Sequence, residues 1–172
     1  MAIGTFYSEV GTALLEDCLC LDAEGGGVSE ELAAAGKWTD EQFKAAPARL
    51  KAHNAAIAST PDGLDALRSF LIGKRQFLLG LLQNPNLLEH DAFTDLLWAV
   101  FHLSEELANR SDVRQLPPPD RAHIEGDIKR AYVLLVAQWV EYMRHLKASY
   151  PYLFSLAVRL NPFDPAAEPE VK

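Results

Sequence analysis

TPDGLDALRSFLIGKRQFLLGLLQNPN, residues 60–86, is the stretch whose reading decides the fold. Thr60 stands where a helix cap belongs, Pro61 fills the first helical position and Asp62 the first turn. Leu64, Leu67, Leu71, Phe77, Leu78, Leu81 and Leu82 then recur at the spacing of one buried helical stripe, and Asn84-Pro85 ends it. A second helix, from about Leu87 to Asn109, gathers Phe93, Leu96, Leu97, Val100, Ser104 and Leu107 on one face. Only a few residues part the two, so an antiparallel hairpin is expected.

Working outward, SDVRQLPPPD (residues 111–120) is a break that its three prolines keep extended, with Asp120 as the expected cap of the next helix. That helix, from about Arg121 to Lys147, is the longest. Its centre, YVLLVAQWV, is apolar almost all round, which marks the central helix of a bundle. Tyr150-Pro151 ends it, and YLFSLAVRL makes one more short helix before Asn161-Pro162. Upstream, Phe6, Val10, Ala13, Leu14 and Leu21 predict a helix over residues 5–21. Gly25 to Gly27 then read as a flexible joint, because three glycines cost much backbone entropy, with Ser29 capping a short helix at EELAAAG. Thr39 and Gln42 have capping-box spacing, and the helix they open, interrupted or restarted at Pro47, is expected to run to about Ala58.

No strand pattern, repeat or phosphate-binding glycine signature competes. The expectation is an all-α fold, a bundle of three to four main helices with additional short N-terminal helices. It is a single helical domain over 1–172, with residues 1–59 a loosely packed subregion, 60–165 the main bundle and 166–172 a disordered tail.

Composition narrows the function. Hydrophobic residues at 49% and charged residues at 23% suit a globular domain with a real core, so no metal or disulfide staple is required. The net charge of −8 is uneven: residues 1–110 carry 16 acids and 8 bases, residues 111–172 carry 8 of each. Basic clusters extend no further than Lys74-Arg75 and Lys129-Arg130, so no nucleic-acid partner is expected. Cys18 and Cys20 are two apart and cannot bridge each other on a helix, which leaves free thiols. The N-terminal stretch has no basic region and meets Glu9 early. The longest apolar runs fall well short of the roughly 20 residues a span needs. A cytoplasmic protein without direct membrane insertion is the expectation.

Two side-chain sets could carry chemistry. At about 100° per residue, His102 lands opposite Phe93, flanked by Asp91 and Asp95 on one side and Glu105 and Glu106 on the other. Such a face is half of a carboxylate and imidazole metal site. It reads more simply as a solvated surface, since the di-metal motif of helical bundles is an inward Glu-x-x-His, and Leu64, Leu67, Leu71 and Leu78 occupy the facing positions. On the long helix His123, Asp127, Gln138, Glu141 and His145 fall along one edge, and Glu141 and His145, four apart, can touch. A partner helix supplying another His or Asp is what this edge would need. No nucleophile sits in a strand-turn-helix elbow, no cofactor is called for, and no catalytic residues are assigned.

LLWAVFHLSEEL, EYMRHLK and YPYLFSLAVRLNPF, 33 residues of the second half, resemble the soluble helical region that accompanies a two-transmembrane-helix pore in bacterial ion channel proteins. The chain itself has no pore or filter sequence of the TVGYG kind, so the resemblance implies an assembly or sensing role beside a membrane channel region, without conduction.

The expected function is thus a non-enzymatic domain acting through protein contacts, with self-association into a homo-oligomer. The alternative is a small-molecule or metal binder using His102, Glu105 and Glu106 or the Glu141/His145 pair. In the last helix, Leu153, Leu156, Ala157 and Leu160 are expected to close the bundle. Phe154 and Val158, with Tyr150 and Tyr152, are expected to meet a second subunit or the N-terminal helices.

Overall fold

The computed structural model describes residues 2–50, 52–87 and 89–171. The expected helix segments running through Lys51 and Leu88, and the last residue of the expected tail, lie outside the described residues. The helices are α1 (Ala2–Phe6), α2 (Thr12–Leu21), α3 (Gly26–Ala33), α4 (Asp40–Leu50), α5 (Pro61–Leu82), α6 (Asp91–Ala108), α7 (Pro118–Ser149) and α8 (Pro151–Arg159). Among the described residues the one extended pairing is an isolated bridge between Asp22 and Ile57, and the fold is all-α.

α7 is the axis. Its 32 residues reach about 48 Å at 1.5 Å per residue, and it packs against α2, α4, α6 and α8. Ile124, Ile128, Ala131, Leu135, Met143 and Leu146 make its buried stripe. α5 and α6 form the expected hairpin, with Leu64, Leu67 and Leu71 facing Leu96, Val100, Leu103 and Leu107 in one core. Each such side chain stabilises the fold by roughly 1.5–3 kcal/mol relative to leaving it in water. The Thr60 hydroxyl accepts from the Gly63 amide at 3.0 Å, as its position before Pro61 requires. The Thr39 amide donates to Gln42 at 2.8 Å while the Thr39 hydroxyl accepts from the Gln42 amide at 3.3 Å, a reciprocal capping box.

Several boundaries differ from the expectation. α7 starts at Pro118, because prolines in a first turn lack only amides that would have had no helical partner. Asp120 is therefore not the cap; it binds Arg110 at 2.5 Å. Val133, in the centre expected to be enclosed, is 46% exposed. Gly26 and Gly27 lie inside α3, with neither Ser29 nor any other side chain as cap. Burial of Val28 and Leu32, one turn apart, outweighs the glycine entropy there, and Asp22 closes the preceding turn. Its Oδ1 accepts from the Glu24 and Ala56 amides, both at 3.1 Å, and its Oδ2 lies 2.9 Å from His53 Nε2. Burial alone would raise the Asp22 pKa, but His53 and the two amides hold it below the ordinary value. Pro47 lies within α4, which ends at Leu50.

Residues 1–59 were expected to pack loosely, yet many of the described ones among residues 2–50 share the core of the bundle. α1 runs through a π-helical turn, Tyr7–Gly11, directly into α2, and Phe6, Tyr7, Val10, Leu14, Leu15 and Cys18 enter the same core as the bundle. The wide turn brings the Tyr7 and Phe6 rings against residue 11. A Cβ on Gly11 would lie 2.6 Å from Tyr7 Cδ1, so the close approach needs glycine. Tyr7 donates its hydroxyl to the Leu135 carbonyl at 2.8 Å and stacks on Tyr142 at 5.0 Å. Beyond α8, Phe163 is buried against Trp139, and the Asn161 amide donates to the Leu32 carbonyl at 2.9 Å. Residues 166–171 carry no helix and are mostly exposed. No helix among the described residues is long and apolar enough to cross a membrane.

Candidate functional site

The antiparallel approach of α6 and α7 joins two sets of side chains that the sequence presents separately. His102 and Glu106 stand one turn apart on α6; His123 and Asp127 stand one turn apart on α7 and face them. His102 Nε2 lies 3.3 Å from Asp127 Oδ2 and 3.6 Å from Glu106 Oε1. His123 Nε2 lies 3.4 Å from Asp127 Oδ2 and 3.5 Å from Glu106 Oε2. The four groups thus alternate imidazole and carboxylate around a ring.

Asp127 is 3% exposed, in a stripe otherwise made by Ile124, Ile128 and Ala131, whereas the two imidazoles are about half exposed. Two arginines brace the outer sides. Arg110 donates to Glu106 Oε2 at 2.7 Å and to both oxygens of Asp120, and Arg130 donates to Asp127 Oδ1 at 2.6 Å. The Arg110 guanidinium holds the Glu106 and Asp120 carboxyls below their ordinary pKa values. His102 is exposed as expected, and the register of α6 on α7 also brings its Nε2 within 3.3 Å of a buried carboxylate. Glu105 does not join, being held at 2.8 Å by Arg75 of α5, and Asp91 and Asp95 are exposed further up the helix.

Glu141 and His145 lie 14 and more residues farther along α7 than Asp127, about 21 Å along the axis. They do not pair with each other: Glu141 is 3.7 Å from Arg144, and the His145 ring meets Tyr150 edge-on at 5.7 Å. Both line a cleft of about 810 Å³ between α1, the α5–α6 turn and α7, together with Gln138, Tyr142, Asn84 and His90. Gly4, Thr5 and Tyr142 also border a second hollow of about 510 Å³, walled by Leu153, Leu156, Ala157 and Leu160 of α8 and by Trp139. Both hollows are walled mainly by apolar surface, and the first also carries the polar side chains of Asn84, His90, Gln138, Glu141 and His145. Burial holds the Tyr142 hydroxyl above its ordinary pKa.

α8 departs in part from the expected assignment of its faces, with Ala157 packed on the core as expected. Leu156 and Leu160, expected to close the bundle, are 42% and 46% exposed, while Phe154 and Val158 pack inward against the core. Val158 sits on Gly36 of the 3₁₀ turn Ala34–Lys37, and the Lys147 ammonium lies 5.5 Å from the Phe154 ring centre. Val158 thus makes the contact with the N-terminal part that was one of the two foreseen. Tyr150 is half-buried and Tyr152 stands out into solvent.

The signal that finds the α6–α7 ring in the sequence is a pair of H-x-x-x-E/D spacings, 102/106 and 123/127, on helices adjacent in the chain. A search for Glu-x-x-His passes over it.

Along residues 1–159 the chain matches the family model described as "Uncharacterized protein MJ1433, C-terminal helical domain". It is similar to uncharacterized protein MJ1433 of Methanocaldococcus jannaschii, 41% identical over 164 residues, which cover 95% of this chain and 66% of the relative. The chain thus spans just under two thirds of that protein's length. No solved structure matches. The chain belongs to the family of the MJ1433 C-terminal helical domain.

Proposed function

We propose that this is a non-catalytic binding domain that works through protein contact, its cleft taking a segment of another polypeptide. The observation that carries the reading is the pair of mainly apolar hollows that share Gly4, Thr5 and Tyr142, one holding Glu141 and His145 and the other Leu156 and Leu160. A hollow of that size with a few convergent polar groups is the usual form of a binding site. Leu156 and Leu160 are leucines left in water on a helix whose opposite residues already serve the core. The family description supports a protein occupant: the matched region is a C-terminal domain, and about a third of the M. jannaschii relative lies outside the match. Chain that precedes a C-terminal domain in that relative leads into the counterpart of α1, a wall of the cleft.

The test exchanges Leu156 and Leu160 together for Asp. Sedimentation velocity measures self-association, and titration with the unmatched third of the M. jannaschii protein measures binding in trans. The expected result is association in at least one arm, lost in the double variant, with an unchanged melting temperature because both positions are exposed. A wild-type chain that stays monomeric at high concentration and ignores the added segment ends the proposal. A channel region as partner, which the sequence resemblance implies, draws no support from the residues of the cleft.

A further inference from the structure

We infer that His102, Glu106 and Asp127, with His123 beside them, form a binding site for a divalent transition-metal ion, zinc by the donor set. Among the described residues, His102, Glu106 and Asp127 are the group whose donor atoms all lie within 4.8 Å of one another, and His123 closes the ring beside both carboxylates.

The distances separate a metal site from a set of ion pairs. A charge-assisted N–H···O bond is about 2.7–2.9 Å long. The four imidazole–carboxylate separations are 3.3, 3.4, 3.5 and 3.6 Å, all too long for that. Tetrahedral zinc, with bonds of about 2.0–2.2 Å to nitrogen and oxygen, sets neighbouring donors about 3.3–3.5 Å apart. The separations of His102 from Asp127 and from Glu106, 3.3 and 3.6 Å, are close to those of neighbouring ligands on one ion.

Asp127 supplies the independent observation. It is 97% buried by its 3% exposure, and its Oδ2 makes no hydrogen bond although it lies between the two imidazoles. A buried carboxylate oxygen is costly to leave unmet, and a cation at the centre of the ring meets it. Arg130 takes Oδ1 and Arg110 takes Glu106 Oε2, the oxygen nearest His123, while Asp127 Oδ2 and Glu106 Oε1 both lie beside His102 Nε2. Such outer partners orient carboxylate ligands in metal sites. Two imidazoles favour a first-row transition ion over magnesium or calcium, which prefer all-oxygen sets.

The inference is independent of the cleft, which lies toward the other end of α7. It is tested with zinc alone, added to chelator-treated full-length protein and followed by calorimetry and by zinc content after gel filtration. One zinc per chain is expected, with affinity lowered at least about 100-fold in His102→Ala. Glu105→Gln, on the same helix but directed to Arg75, is expected to bind as the wild type does. His102 is half exposed, so its loss leaves the core packing alone. As a second measurement, zinc is expected to raise the melting temperature of the wild type and not that of His102→Ala. Absence of stoichiometric zinc, or equal affinity in the wild type, His102→Ala and a folded Asp127→Asn, overturns the site and leaves the ring as ion pairs.

Discussion

Asp40 opens α4 on the surface, yet Arg144 of α7 at 2.6 Å and Lys44 one turn on at 2.6 Å hold its pKa down to about 2. In an unfolded chain an Asp titrates near 3.9. A carboxylate depressed in this way contributes stability above its unfolded value, and the contribution is lost as pH falls through the folded one. Asp40→Asn is therefore expected to be less stable than wild type in urea at pH 7. The gap narrows from about pH 4 downward and is nearly gone at pH 2. A gap that stays constant across that range assigns the effect to the helix start alone. The capping residues were legible because they act within one turn of their own helix. The Arg144 partner was not, since it lies 104 residues away on another element.

Among the elements, α8 shows how a single small residue sets a docking geometry. A Cβ on Gly36 would stand 2.7 Å from Val158 Cγ1 and 3.2 Å from Cγ2, so the helix approaches this turn only because glycine is there. Gly36→Ala is expected to cost about 1–3 kcal/mol by overpacking. Combined with Val158→Ala, which vacates the space, the loss is expected to shrink, so that a double-mutant cycle in urea gives a coupling energy of clear sign. Additive losses instead place Val158 away from residue 36. The two apolar faces of α8 were visible as a pattern, but which one turned inward depended on the position of a turn more than 100 residues earlier in the chain.

For the molecule as a whole, a continuous buried cluster runs from Phe6 in α1 to Phe163 beyond α8, and the Tyr7 to Leu135 hydrogen bond ties its first helix to its central one. A chain built this way unfolds as one unit. Far-ultraviolet circular dichroism and tryptophan emission, with Trp38 in the N-terminal part and Trp139 in α7 both buried, are expected to report coincident urea transitions. An earlier transition in one signal reveals an N-terminal part that melts by itself. Residues 1–59 looked loose because alanine, glycine and short helices carry weak local signals. Packing on α7 supplies what their propensity lacks.

The sequence by itself determined that helices follow from Thr60 onward, the Thr60 cap, the proline stops, the buried stripe of the α5–α6 hairpin and the all-α class. These rest on periodicity and on contacts within a turn, which residue order states directly. Tertiary structure alone decided that Gly26 and Gly27 join a helix, that Leu156 and Leu160 face out while Val158 faces in, and that His102 and Glu106 meet His123 and Asp127. Each of those depends on the rotation and register of one helix against another. That is a property of the packed core, and a shift of one residue turns a side chain by about 100°.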